Sequence, residues 1–166
     1  IGHEISHAFD DKGSQFDGDG NLRNWWTKED RDNFDKRTGL LANQYSQYEV
    51  LPGRKLNGEL TLGENIADLG GAKAAFRAYK ISLKGEPSPI IDNYTGEQRF
   101  FIGTAQSDRV KFRDEIYEMR VATSVHSPSR FRVDGVIINM KEFHKAFSTE
   151  KGDKLYKSDN DIILIW

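Results

Sequence analysis

His3 and His7 stand four residues apart with Glu4 between them, an H-E-x-x-H pattern. On an α-helix, positions i and i+4 share a face, so both imidazoles can point at one cation. Glu4 is one position on from His3, near enough to reach a water at that cation but poorly placed to be a ligand itself. The chemistry of such a set is hydrolysis. A zinc ion lowers the pKa of its water from ~15.7 to about 7, and a carboxylate can then take the proton at neutral pH. The bland alternative is an exposed polar helical turn carrying two unrelated histidines.

Two histidines and a water leave a zinc ion one protein ligand short. The candidate is Glu64, in Leu62-Gly63-Glu64-Asn65-Ile66-Ala67-Asp68-Leu69-Gly70-Gly71. If that stretch is helical, Glu64 and Asp68 lie on one face. Glu64 can then ligate, while Asp68 accepts a hydrogen bond from a ligand histidine and fixes its tautomer. A competing reading makes Thr61-x-x-Glu64 a helix-capping box. One carboxylate cannot freely serve both partners.

Gly2-His3-Glu4-x-x-His7 is followed by Ala8-Phe9-Asp10-Asp11-x-Gly13 and by Trp25-Trp26. Later come Glu64-Asn65-Ile66-Ala67-Asp68, then His126-Ser127-Pro128 with Phe131-Arg132-Val133. In this order the motifs resemble the neprilysin-like (M13) family of zinc metallopeptidases, closest in character to bacterial oligopeptidases of the PepO type. The resemblance runs from Gly2 to about Phe147. It implies His3, His7 and Glu64 as zinc ligands and Glu4 as general base. It implies Asp10 and Asp68 as the carboxylates that orient the ligand histidines, with Asp68 counted among the catalytic residues as well. His126 is implied as the group that stabilises the oxyanion, and Arg132, rather than the nearby Arg130, as the one that binds a substrate carbonyl. Zinc is the implied cofactor and short peptides the implied substrates.

The chain begins two residues before its first expected ligand. A frayed helix end is a poor place for a rigid metal site, because the first four N–H groups of a helix lack partners within it. The expectation is therefore a C-terminal part of a metallopeptidase catalytic domain, residues 1–166, beginning inside the H-E-x-x-H helix. By the resemblance, an upstream part of the same protein completes the substrate cleft, and a helical lid is also absent here. The alternative is a metal-binding or helical scaffolding module without turnover.

The elements that must position these residues read as mainly α, a multi-helix zincin-type fragment with little or no β-sheet. A first helix spans residues 1 to about 10. A Gly- and Asp-rich loop follows to Trp26. Asp17-Gly18-Asp19-Gly20-Asn21 suggests a calcium loop, but Leu22 and Lys28 stand where that loop requires Gly and Glu. Trp25 and Trp26 read as core anchors or loop clamps. Thr27 caps a helix to about Glu49, with Phe34, Leu41, Tyr45 and Tyr48 as its apolar stripe. Residues 50–60 form a connection that has room for a short hairpin. The Glu64 helix runs from Thr61 to about Leu83, its inward face built on Ile66, Leu69, Ala72, Phe76 and Tyr79. Gly70-Gly71 there invites close approach of the His3–His7 helix. Thr95 and Gln98 form a capping box for a helix to about Gln106, burying Phe100, Phe101 and Ala105. Asp108 caps a helix from Arg109 to Ala122. Pro128 keeps residues 124–133 irregular, carrying His126 and Arg132 on a loop. Asn139 caps a last helix to about Phe147, with His144 structural, and the apolar end 162–166 packs on the core.

The chain has 166 residues, 37% of them hydrophobic and 11% aromatic, enough for one core. A formal net charge of −2 offers no electrostatic case for nucleic acid or an anionic membrane. No apolar run reaches the ~18–20 residues that span a bilayer. The chain has no cysteine, which points to a bacterial cytoplasmic enzyme, with a secreted or cell-surface one as the second expectation.

Overall fold

A computed structural model describes residues 1–166 as seven α-helices and one two-stranded hairpin. The fold is mainly α. α3 (Leu62–Ser82) runs through its centre, packed by α1 (Gly2–Ser6), α2 (Lys28–Ser46) and α6 (Ser129–Ile137). α4 (Gly96–Ser107) packs on α7 (Lys141–Phe147), and α5 (Asp114–Thr123) lies against the hairpin of β1 (Glu49–Leu51) and β2 (Arg54–Lys55).

Local chemistry accounts for the helix starts. The Thr27 hydroxyl accepts the Asp30 N–H, and Glu29 and Asp30 sit in the first turn of α2, where carboxylates complement the helix dipole. Thr95 and Gln98 form the expected capping box for α4. Burial follows the apolar stripes. Phe34, Leu41 and Tyr45 of α2 join Ile66, Leu69 and Phe76 of α3, Phe101 of α4, Phe131 and Val136 of α6 and Phe143 of α7 in one core. The C-terminal end belongs to it too, through Ile163 and Ile165.

α1 and α3 approach closely. A Cβ added at Gly71 would lie 2.7 Å from the His3 nitrogen, and one at Gly70 would lie 2.6 Å from the Ser6 hydroxyl. Only glycine lets the two backbones meet at this distance. The loop after α1 is clamped by indoles. Trp25 Nε1 donates to the Phe16 carbonyl at 2.7 Å and Trp26 Nε1 to that of Ser14 at 2.9 Å. Aromatic rings then form a closed run: Phe9 lies against Trp25 and Trp166, Trp25 against Trp26, and Phe34 against both Trp26 and Trp166.

Several expectations need correction. α1 ends at Ser6, and His7–Phe9 continue as a 3-10 turn, because Asp10 turns the chain by accepting the N–H groups of Lys12 and Gly13. α5 starts at Asp114 rather than Arg109; Asp108 closes α4 instead of opening the next helix. Asp114 and Glu115 supply the acidic first turn that favours the later start. Arg132 is helical rather than on a loop, because α6 begins directly after Pro128, whose carbonyl accepts the Phe131 and Arg132 N–H groups. Asn139 caps nothing. It is fully buried, donates to the Gly135 carbonyl, and accepts from Lys157 Nζ and the Ile163 N–H. Ala105 is exposed, on the outer side of α4.

Candidate metal centre

The first turn of α1 and the 3-10 turn after it present His3 and His7 to α3, which presents Glu64. The Nε2 atoms of His3 and His7 are 3.0 Å apart; His3 Nε2 is 3.2 Å from Glu64 Oε2, and His7 Nε2 is 3.7 Å from Glu64 Oε1. The ligating atoms of all three residues lie within 4.8 Å of one another. A tetrahedral zinc site with bonds of ~2.0–2.1 Å has ligand–ligand edges of about 3.3–3.4 Å. The three separations bracket that value.

The far side of each imidazole is pinned by a carboxylate. His3 Nδ1 donates to Asp68 Oδ1 and His7 Nδ1 to Asp10 Oδ2, each at 2.8 Å. A carboxylate on Nδ1 fixes the proton there and leaves the Nε2 lone pair free. Both Nε2 lone pairs therefore face each other and Glu64. The buried Glu64 Oε2 accepts no hydrogen bond, although two imidazole nitrogens stand 3.2 Å from it. Converging lone pairs around an unpartnered carboxylate oxygen repel one another and are stabilised by a cation. The residues present fit a zinc ion.

Burial lowers the proton affinity of His7, but the hydrogen bond to Asp10 and the charges of Glu64, Asp10 and Glu4 outweigh it and hold the group above its ordinary value. That field is what a bound cation would meet. Glu4 itself is exposed beside the pair.

Asp10 is buried and has a second anchor in the Lys12 and Gly13 N–H groups, at 2.8 and 2.7 Å. Asp68 has its second anchor in Arg132, whose Nε donates to Oδ2 at 2.7 Å and Nη2 to Oδ1 at 2.6 Å. Such a two-pronged pair is geometrically specific. His126 Nε2 lies 3.2 Å from Glu64 Oε2. Thus His3, Glu4, His7, Asp10, Glu64, Asp68, His126 and Arg132 all gather at one place. Arg130 pairs with Asp134 on the outer side of α6. The capping-box reading of Glu64 falls, since the Thr61 hydroxyl accepts no backbone N–H of α3; it donates to the Asn57 carbonyl and accepts the Asn65 side-chain amide.

Three residues near the site carried no functional reading in the sequence. Asp108 is half-buried within the field of Arg132 and Asp68; burial raises its carboxyl above the ordinary range, against the pull of Arg132. Asn65 and Ser127 form a buried hydrogen bond between the Glu64 helix and the His126 segment. Their positions beside Glu64 and His126 were the only signal available.

The profile of peptidase family M13 matches residues 1–163. The chain belongs to peptidase family M13. Among M13 relatives, Neprilysin-11 of Caenorhabditis elegans is 46% identical over 152 residues, covering 89% of this chain and 18% of that protein. Human endothelin-converting enzyme 1 is 44% identical over 158 residues, 93% of this chain and 20% of that one. The chain thus spans about a fifth of the length of these relatives. Two M13 structures superpose closely. The zinc metalloprotease Zmp1 of Mycobacterium tuberculosis, solved with an inhibitor, gives a TM-score of 0.96 at 45% identity, covering 99% of this chain and 26% of that one. PepO of Lactobacillus rhamnosis gives 0.84 at 35% identity, covering 99% and 25%. The mainly α architecture is that of these zincin-type peptidases. No helix of this chain is long and apolar enough to cross a membrane.

Proposed function

We propose that this chain is the C-terminal, metal-binding part of the catalytic domain of a zinc-dependent endopeptidase that cleaves short peptides. The observation that carries the reading is the meeting of His3 Nε2, His7 Nε2 and the Glu64 carboxylate, with both imidazoles oriented by buried or half-buried aspartates. Zinc held there supplies Lewis acidity, polarising the scissile carbonyl and bringing a water to a pKa of about 7.

The chain's own groups do the rest. Glu4 takes the proton from the attacking water and returns it to the leaving amine, a step general bases accelerate by ~10²–10⁴-fold. His126 donates to the substrate carbonyl oxygen as it gains negative charge. Arg132 binds a backbone carbonyl of the peptide; with Nε and Nη2 given to Asp68, its Nη1 makes no bond within the chain. Upstream sequence of the same protein completes the cleft. The cysteine-free sequence supports the reducing cytoplasm of a bacterium as its compartment.

The test is Glu4→Gln in the full-length, zinc-loaded protein, assayed on short peptides with metal content measured in parallel. The expected result is zinc retained and hydrolysis lowered by ~10²–10⁴-fold. Undiminished hydrolysis would sink the role of Glu4. One zinc per chain with no hydrolysis in the unsubstituted protein would favour the metal-binding module instead.

A further inference from the structure

Asn65 follows Glu64 on α3 and Ser127 follows His126. Both are buried, with Asn65 at 0% and Ser127 at 3% exposure. The Ser127 hydroxyl donates to Asn65 Oδ1 at 2.8 Å. The Asn65 amide is held in turn, because its Nδ2 donates to the Thr61 hydroxyl at 3.0 Å and that hydroxyl donates to the Asn57 carbonyl at 3.1 Å. The direction of the whole chain is therefore set, and Asn65 presents its oxygen to Ser127 and no other way.

His126 has little else to hold it. Its side chain is 45% exposed, and the stretch that bears it lies outside any helix, between α5 and α6. Its one other local tie is its N–H, donated to the Ser124 hydroxyl at 3.1 Å. Yet its Nε2 sits 3.2 Å from the Glu64 carboxylate. On the other side of Ser127, the Pro128 carbonyl accepts the Phe131 and Arg132 N–H groups and so starts the helix that carries Arg132 to Asp68. Ser127 thus sits between the exposed His126 and the fixed start of α6, and Asn65 is its only side-chain partner.

We propose that Asn65 and Ser127 are positioning residues: their buried hydrogen bond ties the His126 segment to the helix that carries Glu64 and holds the imidazole at the metal centre. The inference rests on the peptidase reading for its kinetic consequence but not for its geometry. Both side chains are buried and bonded within the chain. A buried hydrogen bond in a low dielectric fixes position as well as energy, and displacement of a reacting group by about 1 Å can cost on the order of 10²-fold in rate.

The experiment compares Ser127→Ala, Ser127→Thr and His126→Ala, singly and with Ser127→Ala combined with His126→Ala, in the full-length protein. Two readouts are taken: peptide hydrolysis, and the ring ¹H–¹⁵N resonances of His126 in zinc-loaded protein. Ser127→Ala should keep its zinc, lose at least about tenfold in kcat with little change in KM, and shift the His126 resonances toward those of a solvent-exposed imidazole. Ser127→Thr, which keeps the hydroxyl, should restore both. In the His126→Ala background, Ser127→Ala should cost nothing further, since the two act through one group. Unchanged His126 resonances, an unchanged kcat, or a loss fully additive with His126→Ala would each overturn the proposal. If the unsubstituted protein binds zinc but cleaves no peptide, the peptidase reading fails, and the His126 resonances alone decide on the tether.

Discussion

Asp10 and Asp68 perform the same task on the two histidines but are secured differently. Asp10 is gripped by N–H groups of its own turn, so its hold on His7 is a local property of residues 7–13. Asp68 is secured by Arg132 from a helix remote in sequence, so its hold on His3 depends on the tertiary packing of α6. Removing Asp68 also strands a half-buried guanidinium. Asp68→Ala is therefore expected to weaken zinc binding ~10–100-fold, measured by competition with a chelating dye, and to raise KM through the freed Arg132. An unchanged zinc affinity would show that the packing of α1 on α3 orients His3 without the carboxylate. At this scale the motifs name His3, His7 and Glu64, which the fold brings together, but they mark neither Asp108, Asn65 and Ser127 beside them nor how the site residues are secured. Nothing in the order of residues says that Arg132 closes on Asp68 or that Ser127 reaches Asn65.

Between elements, the glycine pair of α3 sets the distance at which α1 docks. A methyl at position 71 meets His3 backbone, whereas a methyl at Gly39 of α2 meets nothing within 4 Å. Gly71→Ala should lower stability by about 1–3 kcal/mol and loosen the His3 side of the metal centre. Gly39→Ala, in an exposed helix interior, should raise stability by about 0.4–1 kcal/mol. Urea unfolding of the two variants checks both signs. The close approach was readable from Gly70-Gly71, and the stripe of α2 from Phe34, Leu41 and Tyr45, because periodic burial leaves a mark in sequence. The start of α5 was not readable. No residue of that helix is fully buried, so no apolar period distinguishes its first turn from residues 109–113. Asn139 misled for a related reason: an asparagine before a helix reads as a cap, and only the fold brings Lys157 and Ile163 to it.

Across the whole molecule, Lys157 fastens the C-terminal stretch to the body. Its Nζ donates to Gln44 Oε1 and Asn139 Oδ1, both at 2.7 Å, on α2 and at the end of α6. Burial pulls its pKa from the ordinary 10.5 down to about 8. Between those values the unfolded chain binds more protons at this site than the folded one, so stability rises with pH across the window, and the cost of the buried charge is full below about 8. The slope of unfolding free energy between pH 8 and pH 10.5 should flatten in Lys157→Met relative to the native chain. An identical slope would place the titration of Lys157 outside this window.

The closed run of rings beside the His7 turn contains all three tryptophans of the chain. Every indole chromophore thus sits in one cluster, with Phe9 between Trp25 and Trp166, two residues past His7. The ultraviolet emission of this protein is in consequence a local signal. It reports whether the His7 turn and the ring cluster around it are seated.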